Sequence, residues 1–142
     1  AWECVKRDKE GKWFNFFHFM IDLTQGPCVI KRLSGCGSGC EYLAITPEGD
    51  IYPCHQFVGE AQFKMGSVWD GVLNEKTKEY FQKSNVYTKE DCMNCWAKFY
   101  CSGGCAANAY HFNNDINTPY KIGCELQKKR VECALWIKAQ GV

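Results

Sequence analysis

Four cysteines fall within fourteen consecutive residues in the second half of the chain. They are Cys92, Cys95, Cys101 and Cys105, in the run C-M-N-C-W-A-K-F-Y-C-S-G-G-C, and Cys124 follows downstream. Each cysteine can supply one thiolate, and thiolates spaced this closely can converge on a soft metal centre. The spacing therefore indicates metal–thiolate chemistry, and the other elements are interpreted by how they would position these residues.

Three kinds of chemistry would suit such a run. Zinc sites usually separate their two C-x2-C pairs by about a dozen or more residues, whereas five residues separate Cys95 from Cys101. Disulfides between Cys92 and Cys95, or Cys101 and Cys105, would close very small and strained loops. Iron–sulfur clusters are commonly held by closely spaced thiolates with a more distant fourth ligand. The pattern favours iron–sulfur, with zinc as the alternative and disulfides third.

The amino-acid composition limits the size of the domain and indicates the redox environment of its cysteines. The 142 residues suit one domain with a modest core. Eleven cysteines are an odd number, so a pure disulfide framework would leave one thiol over. The first ten residues are charged and lack the apolar segment of a secretory signal. We therefore expect a reducing, cytoplasmic location with thiolates on metal.

Charge and hydropathy argue against two classes of partner. A formal charge of +1 without a long basic run does not suit a nucleic-acid-binding surface. The most apolar stretch, residues 13–23, is about half the ~20 residues that span a bilayer. It also contains Asn15, His18 and Asp22. We expect a buried element there, not a membrane anchor.

The first half of the chain predicts an irregular start and a hairpin. Residues 1–27 form one unit that ends at Gly26-Pro27, and residues 28–40 are loop-like. Residues 42–45 and 51–52 flank the turn T-P-E-G-D, which predicts a β-hairpin. Another short strand is expected within residues 63–68.

The second half predicts helices around the cysteine run. One helix is expected over residues 74–84 with Asn74 as its cap, a second over 106–112, and the clearest over 125–139. Together with the hairpin they define a small α+β fold. Gly103-Gly104 predicts positive φ angles or a close approach to a cluster, with N–H groups directed at sulfur; a flexible turn is the alternative.

The cysteine pattern resembles a known family. C-x12-G-x4-C (Cys36, Gly49, Cys54), followed by C-x2-C-x5-C-x3-C from Cys92 to Cys105 and then Cys124, is similar to the SPASM domain. That domain is the C-terminal extension of many radical S-adenosylmethionine (SAM) enzymes that modify peptides. The likeness covers residues 36–124.

The resemblance implies a ligand scheme for two auxiliary [4Fe–4S] clusters. Cys36, Cys54 and Cys105 would hold the first, with Cys40 as a candidate fourth ligand. If Cys40 is not a ligand, the first cluster has an open iron, which a substrate thiolate can bind. The second cluster would be held by four cysteines, namely Cys92, Cys95, Cys101 and Cys124.

The resemblance also implies what lies elsewhere. The SAM-binding cluster needs C-x3-C-x2-C, and neither Cys36-x3-Cys40 nor Cys101-x3-Cys105 completes it. We expect residues 1–35 to be the end of a radical SAM (β/α) barrel with its linker, and residues 36–142 the auxiliary-cluster domain. SAM and a third [4Fe–4S] cluster would belong to the barrel, and this chain alone is expected to be inactive.

A narrower resemblance concerns the substrate. Residues 26–59 are similar to the thioether-forming maturases of SCIFF peptides, which are small cysteine-rich ribosomal precursors. This implies a cysteine-rich precursor peptide, the rest of the enzyme, and a flavodoxin or ferredoxin electron donor as partners.

The competing hypothesis from a different class is a zinc-stabilised structural or peptide-binding module without a redox role.

Overall fold

A computed structural model describes residues 1–24 and 28–141, so the expected stop at Gly26-Pro27 lies outside the described residues. Helices and one small sheet alternate along the chain, in agreement with the predicted α+β class. The α-helices are α1 (Trp2–Lys9), α2 (Val29–Ser34), α3 (Glu75–Lys83), α4 (Glu90–Met93), α5 (Lys98–Cys101), α6 (Ala106–Asn113) and α7 (Lys121–Ala139). Short 3-10 helices span Phe17–Phe19, His55–Phe57 and Ala61–Phe63, and the strands are β1 (Ala44–Ile45), β2 (Asp50–Tyr52), β3 (Gly66–Ser67) and β4 (Gly71–Val72).

The four strands form an antiparallel meander in the order β1-β2-β3-β4. The predicted hairpin is confirmed, with Ala44 opposite Tyr52 and Ile45 opposite Ile51. Gly49 closes its turn at φ +89° and donates its N–H to the Thr46 carbonyl. The strand expected within residues 63–68 is confined to β3, and β4 is too short to be predicted from alternation.

An aromatic core lies beside this sheet. Phe57 is fully buried and packs against Phe63 and Phe81, with ring centroids 4.5 Å and 5.4 Å away. Burying one such side chain contributes about 1.5–3 kcal/mol. Tyr52 and Cys54 belong to the same core, so packing fixes the strand end that carries the first-half cysteine.

Three predicted helices are present. The Asn74 side chain caps α3 by accepting the Thr77 N–H at 3.1 Å, as the sequence predicted. Helix α6 matches residues 106–112 to within one residue. Helix α7 begins four residues earlier than predicted, at Lys121, so Cys124 lies in its first turn and not in a preceding loop.

The expected loop over residues 28–40 is wrong for its first part. Residues Val29–Ser34 form α2, which ends at Gly35 with φ +75°. The helix packs against α5. Tertiary contact therefore overrides the low helix propensity of its β-branched residues.

The expectation of a buried apolar element at residues 13–23 is also wrong. Trp13, Phe17 and Met20 are 62%, 79% and 59% exposed. The stretch is helical only over Phe17–Phe19, which packs against α7, and a short 3-10 turn can bury few side chains.

Helix α1 packs on α7 as well, through Trp2 and Trp136 with rings 5.2 Å apart. Within the described part of the chain, no helix has both the length and the apolarity that crossing a bilayer requires.

Candidate metal centres

Four of the predicted site cysteines come together in one cavity of about 120 Å³. They arrive from three helical segments: Cys92 lies in α4 and Cys95 just after it, Cys101 ends α5, and Cys124 lies in the first turn of α7. The short helices α4 and α5 turn the chain around the cavity, and α7 closes it. This group is called the α7 site below.

Burial disfavours the thiolate form at three of the cysteines in the α7 site, Cys92, Cys101 and Cys124. Burial raises the pKa of Cys92 to about 11, with Lys89 opposing the shift and Cys101, Cys124 and Cys95 adding to it. Burial also raises the pKa of Cys101 and of Cys124. Several thiolates in one buried cavity repel one another, so a bound cation is needed to deprotonate them together. The donor set and cavity therefore fit a thiolate-bound metal centre.

The loop after Cys101 confirms one prediction about the backbone. Ser102, Gly103 and Gly104 have φ angles of +59°, +84° and +75°. The N–H groups of Gly104 and Gly103 hydrogen-bond the Cys101 sulfur and favour its thiolate, although burial outweighs them. Two glycines allow this run of left-handed residues, which brings backbone donors onto a sulfur.

The remaining predicted ligands form a second group, called the hairpin site below. Cys54 is buried, and its thiol is influenced electrostatically by Cys105 and Cys36. Burial raises the pKa of Cys54, whereas hydrogen bonds from the N–H groups of Gln56 and Phe57 lower it. Cys54 precedes the 3-10 helix His55–Phe57, so the N–H groups at the start of that helix lie near its sulfur, although the Phe57 N–H donates to the Cys54 carbonyl at 3.0 Å.

Cys40 differs from these three cysteines in its surroundings. Burial raises the pKa of its thiol, and its nearest charged influences are Lys78 and Glu41. Cys40 and Cys36 both line a larger cavity of about 350 Å³. The structure thus places Cys40 near the hairpin site but in contact with solvent and charge, and its role as a ligand stays a prediction.

The α7 site and the hairpin site lie next to each other in the fold. Cys101 and Cys124 of the α7 site and Cys105 of the hairpin site line a shared cavity of about 220 Å³. All eleven cysteines carry free thiols. Among residues 1–24 and 28–141, no three cysteine, histidine or carboxylate side chains stand close enough together to chelate a single metal ion.

Two polar side chains at these sites were not predicted from the sequence. Gln56 donates its amide Nε2–H to the Cys105 sulfur at 3.6 Å. Lys89 is buried and donates its ammonium to the Gly103 carbonyl at 2.9 Å. Neither belongs to a recognisable ligand motif, because both act on a sulfur or a carbonyl that is distant in sequence.

Fold and site together define a cysteine-rich α+β domain. In comparison with known proteins, residues 36–96 match SPASM, an iron–sulfur cluster-binding domain. The matched range contains Cys36, Cys40, Cys54, Cys92 and Cys95 and ends before the last three predicted ligands.

Two curated relatives are similar to most of the chain. An uncharacterized protein of Archaeoglobus fulgidus is 30% identical over 115 residues, covering 77% of this chain and 26% of the relative. The antilisterial bacteriocin subtilosin biosynthesis protein AlbA of Bacillus subtilis is 30% identical over 95 residues, covering 59% of this chain and 21% of AlbA. The chain spans about a quarter of the length of these relatives.

Proposed function

We propose that this chain is the auxiliary-cluster domain of a radical SAM peptide maturase. The single observation that carries the proposal is that Cys92, Cys95, Cys101 and Cys124 line one cavity in a chain whose residues 36–96 match SPASM. Similarity to a bacteriocin biosynthesis protein supports a peptide as substrate. The SAM-binding barrel and its cluster would lie in the rest of the enzyme, of which residues 1–35 would be the end.

Each group would hold one [4Fe–4S] cluster. The α7 site offers four thiolates, which is a complete ligand set for a cubane. The hairpin site offers Cys36, Cys54 and Cys105. Backbone N–H groups at Cys54 and Cys101 favour the thiolate form that iron requires and stabilise negative charge on sulfur.

The hairpin site would keep one iron position for substrate. The charged groups that act on the Cys40 thiol are Lys78 and Glu41. Cys36 lies on the wall of the 350 Å³ cavity, which is large enough to admit a peptide side chain. A cysteine thiolate of the substrate entering there would reach the open position, and Cys40 would line its path.

The reaction we propose is thioether formation in a cysteine-rich ribosomal peptide of the SCIFF kind. A bond forms between a cysteine sulfur and a backbone α-carbon, while the sulfur loses a proton and the carbon loses a hydrogen atom to the radical generated in the barrel. One electron is left over and needs an acceptor. When bound, the clusters supply sulfur binding at the hairpin site and electron acceptance, and a flavodoxin or ferredoxin would be the external partner.

Metal and sulfide analysis of the chain purified without air tests this proposal. We expect about eight irons and about eight acid-labile sulfides per chain, the content of two cubanes. Zinc without sulfide would overturn the proposal and favour the zinc-stabilised module. A second measurement addresses the open position: the spectrum of the loaded chain should change on adding a cysteine-containing peptide, and not on adding the same peptide with serine.

A further inference from the structure

Lys89 is the one charged side chain buried within the described part of the chain, with 4% of its surface exposed. Its ammonium donates to the Gly103 carbonyl at 2.9 Å, and no described carboxylate lies within ion-pair distance of it. Lysine is almost never fully buried without a partner, because removing an ammonium from water costs several kcal/mol. The chain therefore keeps a charge in its interior whose partner must be negative and close.

The surroundings of Lys89 identify that partner. Burial lowers the pKa of Lys89, and the groups near enough to oppose this are the sulfurs of Cys92, Cys101 and Cys105 and the Asp115 carboxylate. Cys92 and Cys101 belong to the α7 site, and Cys105 belongs to the hairpin site. Lys89 also lines the 350 Å³ cavity with Cys36. One ammonium thus faces both groups of cysteines.

A backbone contact extends the reach of this charge to a sulfur. The Gly103 carbonyl that accepts the Lys89 hydrogen bond and the Gly104 N–H that reaches the Cys101 sulfur are in one peptide unit. An ammonium on the carbonyl polarises that peptide and strengthens the N–H as a donor. Gly103 has φ +84°, in the left-handed region that favours glycine, and this conformation presents its carbonyl to Lys89.

We propose that Lys89 is a positioning residue that provides an internal positive charge shared by the two cluster sites. The inference rests on the proposed function, because the charge acts on clusters bound at those sites. Each electron added to a cluster makes it more negative, so a buried positive charge nearby favours the reduced state. Both sites should therefore have higher reduction potentials than they would have without Lys89.

Three variants separate charge from hydrogen bonding and size. Lys89→Gln keeps a donor for the Gly103 carbonyl without the charge, and Lys89→Met removes both. Lys89→Arg keeps the charge, and the adjoining cavity offers room for the longer head group. Lys138→Gln is the control, because Lys138 is exposed to solvent in the last turn of α7, away from both cluster sites.

The measurement is an EPR-monitored redox titration of the reconstituted chain, with iron and sulfide measured on each sample. For both clusters we expect Lys89→Gln and Lys89→Met to lower the reduced-to-oxidised ratio by about tenfold or more at a fixed solution potential. That is about 59 mV for a one-electron couple. Lys89→Arg should stay near wild type, and Lys138→Gln should change the ratio by less than about twofold.

Other outcomes of the titration would separate the proposal about Lys89 from the proposed function. If the Gln and Met variants do not retain clusters while the Arg variant does, the charge is required for assembly and the proposal stands. Unchanged potentials in loaded Gln and Met variants would overturn it, and so would equal loss of clusters in all three. If wild type itself takes up no iron and sulfide, the proposed function fails first, and with it the basis of this inference.

Discussion

Gln56 donates its side-chain amide to the sulfur of Cys105 at 3.6 Å, across 49 positions of sequence. The same short 3-10 helix whose first N–H groups lie near the Cys54 sulfur therefore also provides a donor for a second cysteine of the hairpin site. His111 in α6 contacts this helix, with its Nε2 3.2 Å from the Gln56 carbonyl oxygen. Three contacts thus orient residues 54–57 toward the sulfurs.

Gln56→Leu should affect the hairpin site and leave the α7 site unchanged. Removing a hydrogen bond to a cluster thiolate destabilises the added negative charge of the reduced state, so the potential of one cluster should fall. Redox titration with EPR detection measures this. Gln62→Leu is the control, since its amide donates to Tyr110 and Glu60 instead. Equal shifts at both clusters would contradict a local role for Gln56.

Cys40→Ser should leave the iron content unchanged, whereas Cys36→Ser should reduce it. The Cys40 thiol lies near the charges of Lys78 and Glu41, whereas Cys36 is among the groups that raise the pKa of Cys54. Iron and sulfide analysis of the two variants gives the comparison. Loss of iron from Cys40→Ser equal to that from Cys36→Ser would make Cys40 the fourth ligand and close the open position.

Cys101→Ala should lose the cluster of the α7 site, about half of the iron in the chain. Cys133→Ser should retain all of it. Both residues lie at helical positions, but Cys133 is nine residues beyond Cys124 in α7, which is about 900° of rotation and places it on the opposite face. The same metal analysis applies. If Cys133→Ser lost iron as Cys101→Ala does, the ligand assignment of α7 would be wrong.

The sequence predicted local features well because their causes are local. Asn74 caps α3 and Gly49 closes the hairpin through contacts within a few residues. The grouping of cysteines into two ligand sets came from a family resemblance and stays a prediction, although Cys92, Cys95, Cys101 and Cys124 do line one cavity. What the sequence could not predict depends on distant contacts: the packing of α2 on α5, and the burial of Lys89 against Gly103.

The exposed aromatic stretch at residues 13–23 is a second feature that the sequence did not predict. Apolar composition at residues 13–23 predicted burial, since hydrophobic side chains favour the interior. Phe17 is nevertheless 79% exposed, because within the described residues the stretch contacts α7 only through one short turn. Composition gives the tendency to be covered, whereas the position of a covering element is set by the tertiary fold.

Tyr80 provides a pH-dependent test of the segment that leads from α6 to α7. Its hydroxyl donates to Asp115 at 2.7 Å and accepts the Ile116 N–H at 3.3 Å. Burial and then the hydrogen bond to Asp115 raise the pKa of Tyr80 to about 12. For Asp115, hydrogen bonds from Tyr80, the Asn117 N–H and Thr118 outweigh burial and hold the pKa of its carboxyl below the usual value.

Tyr80→Phe should destabilise the loaded chain by about 1–3 kcal/mol at pH 8, since it removes a donor to a carboxylate and leaves the Ile116 N–H without its acceptor. A folded-state pKa raised from about 10 to about 12 means that this stabilisation is complete below about pH 10 and is lost as the pH rises toward 12. The difference between wild type and variant should therefore shrink over that interval. Guanidinium unfolding followed by tryptophan fluorescence at several pH values measures it, with Tyr87→Phe at an exposed tyrosine as the control. A difference that stayed constant from pH 8 to 12 would show that Tyr80 does not hold its proton through the contact with Asp115.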